Sequence, residues 1–116
     1  MHFKLIITFV NEKMTNKILD ASRSAGATGV TVISRANGEG IVKNKSFFGL
    51  SVENHFDILL FLVEEHLSFD ILEKIKLIGK FDYSPGTGIV FQIDTEDAVG
   101  ICHQIKELNG IVEERI

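Results

Sequence analysis

Proline and cysteine are each represented once in these 116 residues, and positive charge is in deficit. With one proline, no low-complexity tract, 45% apolar residues and 24% charged ones, a largely disordered chain is excluded. A lone cysteine, Cys102, leaves no disulfide framework and no paired-cysteine metal knuckle, as in proteins of a reducing compartment. Twelve Lys and Arg are outnumbered by sixteen Asp and Glu, giving a formal charge of −4 and a pI near 5.5. Nucleic-acid binding needs a basic field, so DNA and RNA are discounted as partners. No apolar run approaches the roughly 20 residues of a membrane span. The opening run Phe3 to Val10 lacks the basic start and cleavage site of a secretory signal. A soluble, cytoplasmic protein is the expectation, one that a partner can recruit to a membrane.

What is present reads as one domain over residues 1–116, a length at which a single core needs no covalent staple. Phe3 to Val10 is β-branched and aromatic and nearly continuously apolar, the pattern of a central strand. Asn11 is placed to cap a helix carrying Met14, Ile18, Ala21 and Ala25, with Gly26 as its left-handed stop. Val30 to Arg35 reads as a second strand entered through Thr28-Gly29. It breaks at Asn37-Gly38-Glu39-Gly40, and a long loop follows to about Asn54. Phe56 to Val63 is a third strand. Ser68 is placed to cap a second helix with Ile71, Leu72, Ile75 and Ile78 on one face and Gly79 at its end. Ser84-Pro85-Gly86-Thr87-Gly88 is the strongest turn signal, and Ile89 to Ile93 is a fourth strand. The order predicts an α+β, ferredoxin-like βαββαβ sandwich. Beyond it, Ala98, Ile101, Cys102, Ile105 and Leu108 have helical spacing after a Thr95 cap, so a C-terminal helical extension over about 95–116 is predicted.

Chemistry is sparse. His55 with Asp57, and His66 after Glu64-Glu65, sit where polar residues are ordinary, and no histidine pair has zinc spacing. Cys102 and His103 are adjacent on a predicted helix and point about 100° apart, so they make no dyad. No nucleophile elbow, Walker loop or dinucleotide fingerprint occurs. Two glycine-rich turns remain, Gly38-Glu39-Gly40 and Gly86-Thr87-Gly88. Either is a tight turn only, or its backbone N–H groups cradle an anion.

In their joint order these segments resemble the P-II nitrogen-regulatory family. Ile18-Leu19 through Gly26-Ala27-Thr28-Gly29-Val30-Thr31-Val32 is similar to that family's first helix end and second-strand entry. Gly38-Glu39-Gly40 resembles the start of its T-loop, here about residues 38–54, and Gly86-Thr87-Gly88-Ile89-Val90-Phe91 resembles its B-loop. The resemblance spans about residues 3–94. It implies a regulatory protein rather than an enzyme: a homotrimer that senses an adenine nucleotide in clefts between subunits and regulates a target through the T-loop. By the same resemblance, the expected target is a membrane transporter or an enzyme of nitrogen or carbon metabolism.

Carried over by position, Thr31 would contact the base, Gly38 and Gly40 would line the T-loop base, and Gly86, Thr87 and Gly88 would hold phosphates. Ile89 replaces the B-loop lysine, and Ala98-Val99-Gly100-Ile101 has no clear equivalents of two family arginines. The consequence is either a smaller or less charged nucleotide, such as ADP, AMP or a cyclic nucleotide, with ATP binding no more tightly than these, or a degenerate site. Tyr83 lies outside the loop, so loop uridylylation is not supported. Within the loop, Lys43, Lys45, Phe47 and Phe48 form the expected partner-binding element, aromatic anchors beside positive charge. The alternative for the two phenylalanines is packing back on the domain or extending the third strand. Other readings of the whole chain are an ACT-like amino-acid sensor, which needs no long loop, and a small metal-dependent enzyme using His55, Asp57 and His66.

Overall fold

A computed structural model describes residues 1–37, 55–83 and 87–101. Its elements follow the predicted order: β1 (Phe3–Asn11), α1 (Thr15–Ser24), β2 (Thr31–Ala36), β3 (Phe56–Glu64), α2 (Glu65–Gly79) and β4 (Gly88–Asp94). The four strands form one antiparallel sheet in the order β2-β3-β1-β4, with the nearly all-apolar β1 and β3 in the centre. This is the α+β ferredoxin-like sandwich.

Helix α1 buries Ile18, Ala21 and Ser22, and α2 buries Leu67, Ile71 and Ile75, against Ile6, Val10, Leu59, Phe61 and Val63 of the central strands. Full burial of each such Leu, Ile or Phe contributes on the order of 2 kcal/mol. The register fixes which residues share that face: Ile6 is opposite Phe61, and Thr8 is opposite Leu59. The other face carries Leu5, Ile7 and Phe9 of β1, paired with Leu62, Leu60 and Ile58 of β3 and with Ile93, Phe91 and Ile89 of β4. No described helix covers it, and Leu62, Phe91 and Ile93 are exposed. An apolar uncovered face is what the helix count predicts. From sequence, Ile6, Thr8, Val32 and Phe61 are the residues expected there; instead Ile6, Thr8 and Phe61 lie fully buried under the helices, and Val32 pairs with Leu59 of that same covered face. A continuously apolar strand has no alternation from which to read its parity.

The helix ends differ from the sequence expectation. Asn11 does not cap α1: it ends β1, its Oδ1 accepts from the Lys13 N–H and its carbonyl from the Met14 N–H, and Met14 is the N-cap. Ser68 lies inside α2, its hydroxyl donating to the Glu65 carbonyl, while Glu64 caps the helix by accepting from the His66 N–H at 2.7 Å. Gly26 is the left-handed stop of the first helix as expected, with φ 113° and the next N–H donating back to the Ser22 carbonyl. Gly79 is the last helical residue of α2, and the left-handed position falls on Lys80, φ 50°. Thr95 caps no helix; its hydroxyl donates to the Phe3 carbonyl, and residues 96–101 are not helical. The rest of the proposed extension lies outside the described residues. Among those described, no helix is long and apolar enough to cross a membrane.

Candidate functional site

Because β1 is antiparallel to both neighbours, its C-terminal end meets the start of β3 and the start of β4: Asn11 is opposite Phe56, and Val10 is opposite Gly88. β2 ends there too, with Ala36 opposite Phe56. One end of the sheet therefore gathers the residues bounding the 38–54 segment and the residues closing the 84–88 turn. Gly38, Gly40 and Gly86 themselves lie outside the described residues, as do Lys43, Lys45, Phe47 and Phe48. Thr87 and Gly88 are at this end, and the Asn11 N–H donates to the Thr87 carbonyl at 2.9 Å.

Gly88 is required by space. A Cβ there would stand 2.4 Å from the Phe9 carbonyl oxygen and 3.0 Å from the Phe81 ring. Phe81 folds back after α2 and also lies against Gly79. Beside the turn a cleft of about 390 Å3 is lined by Lys76, Phe81, Gly88 and Val90 among others. Residues 87–89 themselves, Thr-Gly-Ile, carry no cation.

On the other edge, β2 contains a bulge between Ile33 and Ala36, and Arg35 in it has φ 58°. A left-handed non-glycine residue costs about 1–2 kcal/mol. The carboxylate of Asp57 holds it: Oδ1 accepts from the Arg35 N–H at 3.1 Å, while Oδ2 accepts from the Thr15 hydroxyl at 2.6 Å. Asp57 is only 8% exposed, so its two donors are what make its burial tolerable. Sequence inspection singles out Asp57 only as a neighbour of His55. Nothing in the pattern couples it to Thr15 and Arg35, 42 and 22 residues away. The Arg35 guanidinium leans toward β1, with Nη1 3.7 Å from Glu12 and Nη2 3.5 Å from His55 Nδ1.

Thr31 is placed elsewhere. It starts β2, opposite Leu60 on the uncovered face, roughly 16 Å of strand from Ala36. The metal-enzyme grouping is not assembled: His55 and His66 flank opposite ends of β3, nine residues and roughly 27 Å long. Among the described residues, Glu64, Glu65 and His66 do bring ligand-type atoms within 4.8 Å of one another. Glu64 is already engaged through both oxygens, Oε2 with the His66 N–H and Oε1 with His66 Nδ1 at 2.6 Å.

A sequence model of the nitrogen regulatory protein P-II family matches residues 3–104. Among solved structures, CPII from Thiomonas intermedia K12, bound to ADP, AMP and acetate, is similar with a TM-score of 0.68 at 19% identity, over 86% of this chain and 92% of that one. The same protein bound to ADP, AMP and bicarbonate gives a TM-score of 0.64 at 19% identity, over 87% and 98%. A PII-like signaling protein from Thermus thermophilus gives 0.60 at 19% identity, over 82% and 87%. No curated protein matches the chain.

Proposed function

The chain belongs to the nitrogen regulatory protein P-II family, and we propose that it is a regulatory homotrimer that senses an adenine nucleotide and acts on a target protein through residues 38–54. The observation that carries this reading is the convergence, at one end of the sheet, of the loop base and the Thr87-Gly88 turn. The solved relative CPII, which binds ADP and AMP, supports the choice of ligand.

In the order β2-β3-β1-β4 the loop base and the turn occupy opposite edges, about 14 Å apart. A second copy docking its β2 edge beside β4 brings the two together and covers the apolar face that includes Ile7, Phe9 and Phe91. In that cleft the backbone of Gly86, Thr87 and Gly88 holds phosphate, Gly38 and Gly40 line the loop base, and Thr31 meets the adenine. With Ile89 and no lysine in the turn, ADP or AMP binds at least as tightly as ATP. The reading keeps the protein cytoplasmic, recruited to a membrane when its target is a transporter.

Calorimetric titration with ADP, AMP, ATP and cyclic AMP tests the ligand: micromolar binding of ADP or AMP is the expected result, and heat from none of them refutes it. Sedimentation tests the assembly. A trimer is expected, and Phe91→Lys on the uncovered face should dissociate it while leaving each copy folded. For the loop, replacing Phe47 and Phe48 together by serine should leave the melting temperature unchanged and abolish target binding. A fall of several degrees would instead assign them to the core, because losing a buried Phe costs about 3 kcal/mol.

A further inference from the structure

Arg35 is the structural outlier of the loop-bearing end. Its left-handed backbone, φ 58°, occupies a bulge position where glycine is ordinarily favoured, yet the residue there is a large cation. Lys80, the other described non-glycine residue with positive φ, is accounted for as the C-cap of α2. No helix end accounts for Arg35. Its conformation is imposed by the buried Asp57 carboxylate, itself fixed by the Thr15 hydroxyl. Such over-determined strain gathers at binding sites, where it fixes a group in advance.

The guanidinium so presented is two-thirds exposed. It reaches from the β2 edge across the start of β3 toward Glu12, the residue after the Asn11 that bonds Thr87. Its contacts with Glu12 and His55 are long, 3.7 and 3.5 Å, so an anion can displace them at little cost. Thr87, Gly88 and Ile89, where the turn enters β4, carry no charge themselves, with Lys76 lining the cleft beside Gly88, and Arg35 offers a second cation at the β2 edge of the same end of the sheet.

We infer that Arg35, its backbone fixed by Asp57 and Thr15, is a cation that binds the phosphate of a nucleotide at this end of the sheet, where the β2 edge of one copy meets the β4 edge of the next. The nucleotide and the neighbouring copy rest on the proposed function; anion binding at Arg35 does not. Arg35→Gly is the diagnostic variant, because glycine relaxes at φ 58° and the fold is therefore retained. Calorimetry should show ADP affinity falling about tenfold or more, the worth of a charge-assisted hydrogen bond, with adenosine affinity unchanged. Arg35→Lys should recover part of the loss, keeping the charge without the planar fork. ADP affinity within about twofold of the parent in Arg35→Gly overturns the assignment. If the parent binds no ADP, the nucleotide reading fails and pyrophosphate becomes the probe. Thermal stabilisation of the parent but not of Arg35→Gly supports the anion site. Equal stabilisation of both proteins, or of neither, overturns it.

Discussion

Strand β3 has a buried carboxylate near each end, and the two are used differently. Glu64, 1% exposed, closes β3 and opens α2, accepting the His66 N–H that a helix start leaves without a partner. Asp57, 8% exposed, meets a helix through a side chain rather than a backbone N–H: one oxygen accepts the hydroxyl of Thr15, the first residue of α1, and the other accepts the N–H of a strained β2 residue at the edge of the long loop. Burying a carboxylate is costly at either place. At the Glu64 end the return is regular secondary structure. At the Asp57 end it is an irregular backbone that presents an arginine, the asymmetry on which the proposed anion site rests.

The largest effect should separate these carboxylates. Asp57→Ala leaves both the Thr15 hydroxyl and the Arg35 N–H without their acceptor and should destabilise the protein by about 3 kcal/mol in urea unfolding. Glu64→Ala removes a helix cap and should cost about 1 kcal/mol. ADP affinity should fall in the first variant and hold in the second; equal losses of stability and of binding in both would erase the distinction between the ends.

Next in size is Gly88→Ala at the loop-bearing end. Its Cβ would meet the Phe9 carbonyl, a backbone atom that moves only with β1, and a loss of about 2 kcal/mol is expected by thermal unfolding. Gly79→Ala meets only the Phe81 ring, which can turn aside, so it should cost less.

The smallest effect belongs to the opposite end of the sheet. Hydrogen bonds from Lys4 and then His2 hold the Asp94 carboxyl below its ordinary value. A lowered carboxyl contributes stability above its unfolded value and loses it as pH falls through the folded one. Asp94 is exposed, so the contribution is small and screened by salt. Asp94→Asn should be slightly less stable than the parent near neutrality, and the gap should close in strong acid. A gap that widens on acidification would contradict the pairing.

The order of elements was legible because each helix has its own period and each turn its glycines. The joint order of Gly38-Glu39-Gly40 and Gly86-Thr87-Gly88 pointed to the right family, and the antiparallel register explains why Ala36 and Gly88, so far apart in sequence, lie at one end of the sheet. Other features were illegible for identifiable reasons. Glu64-Glu65-His66 looks like polar punctuation, and only the placing of Glu64 against His66 makes it a cap, leaving Ser68 to bond back along the helix. The parity of β1 is hidden by its unbroken apolarity, which is how the sequence reading puts Ile6 and Thr8 on the uncovered face. The coupling of Asp57 to Thr15 and Arg35 is tertiary, and a left-handed arginine has no sequence signature at all.

Backbone amide hydrogen exchange with and without ADP tests the central claim most directly. The account predicts added protection at residues 9–13, 35–37, 55–57 and 87–89, with none at residues 2–4, 64–66 and 94–97. Protection confined to the second set, or no change anywhere at saturating ADP, would contradict it.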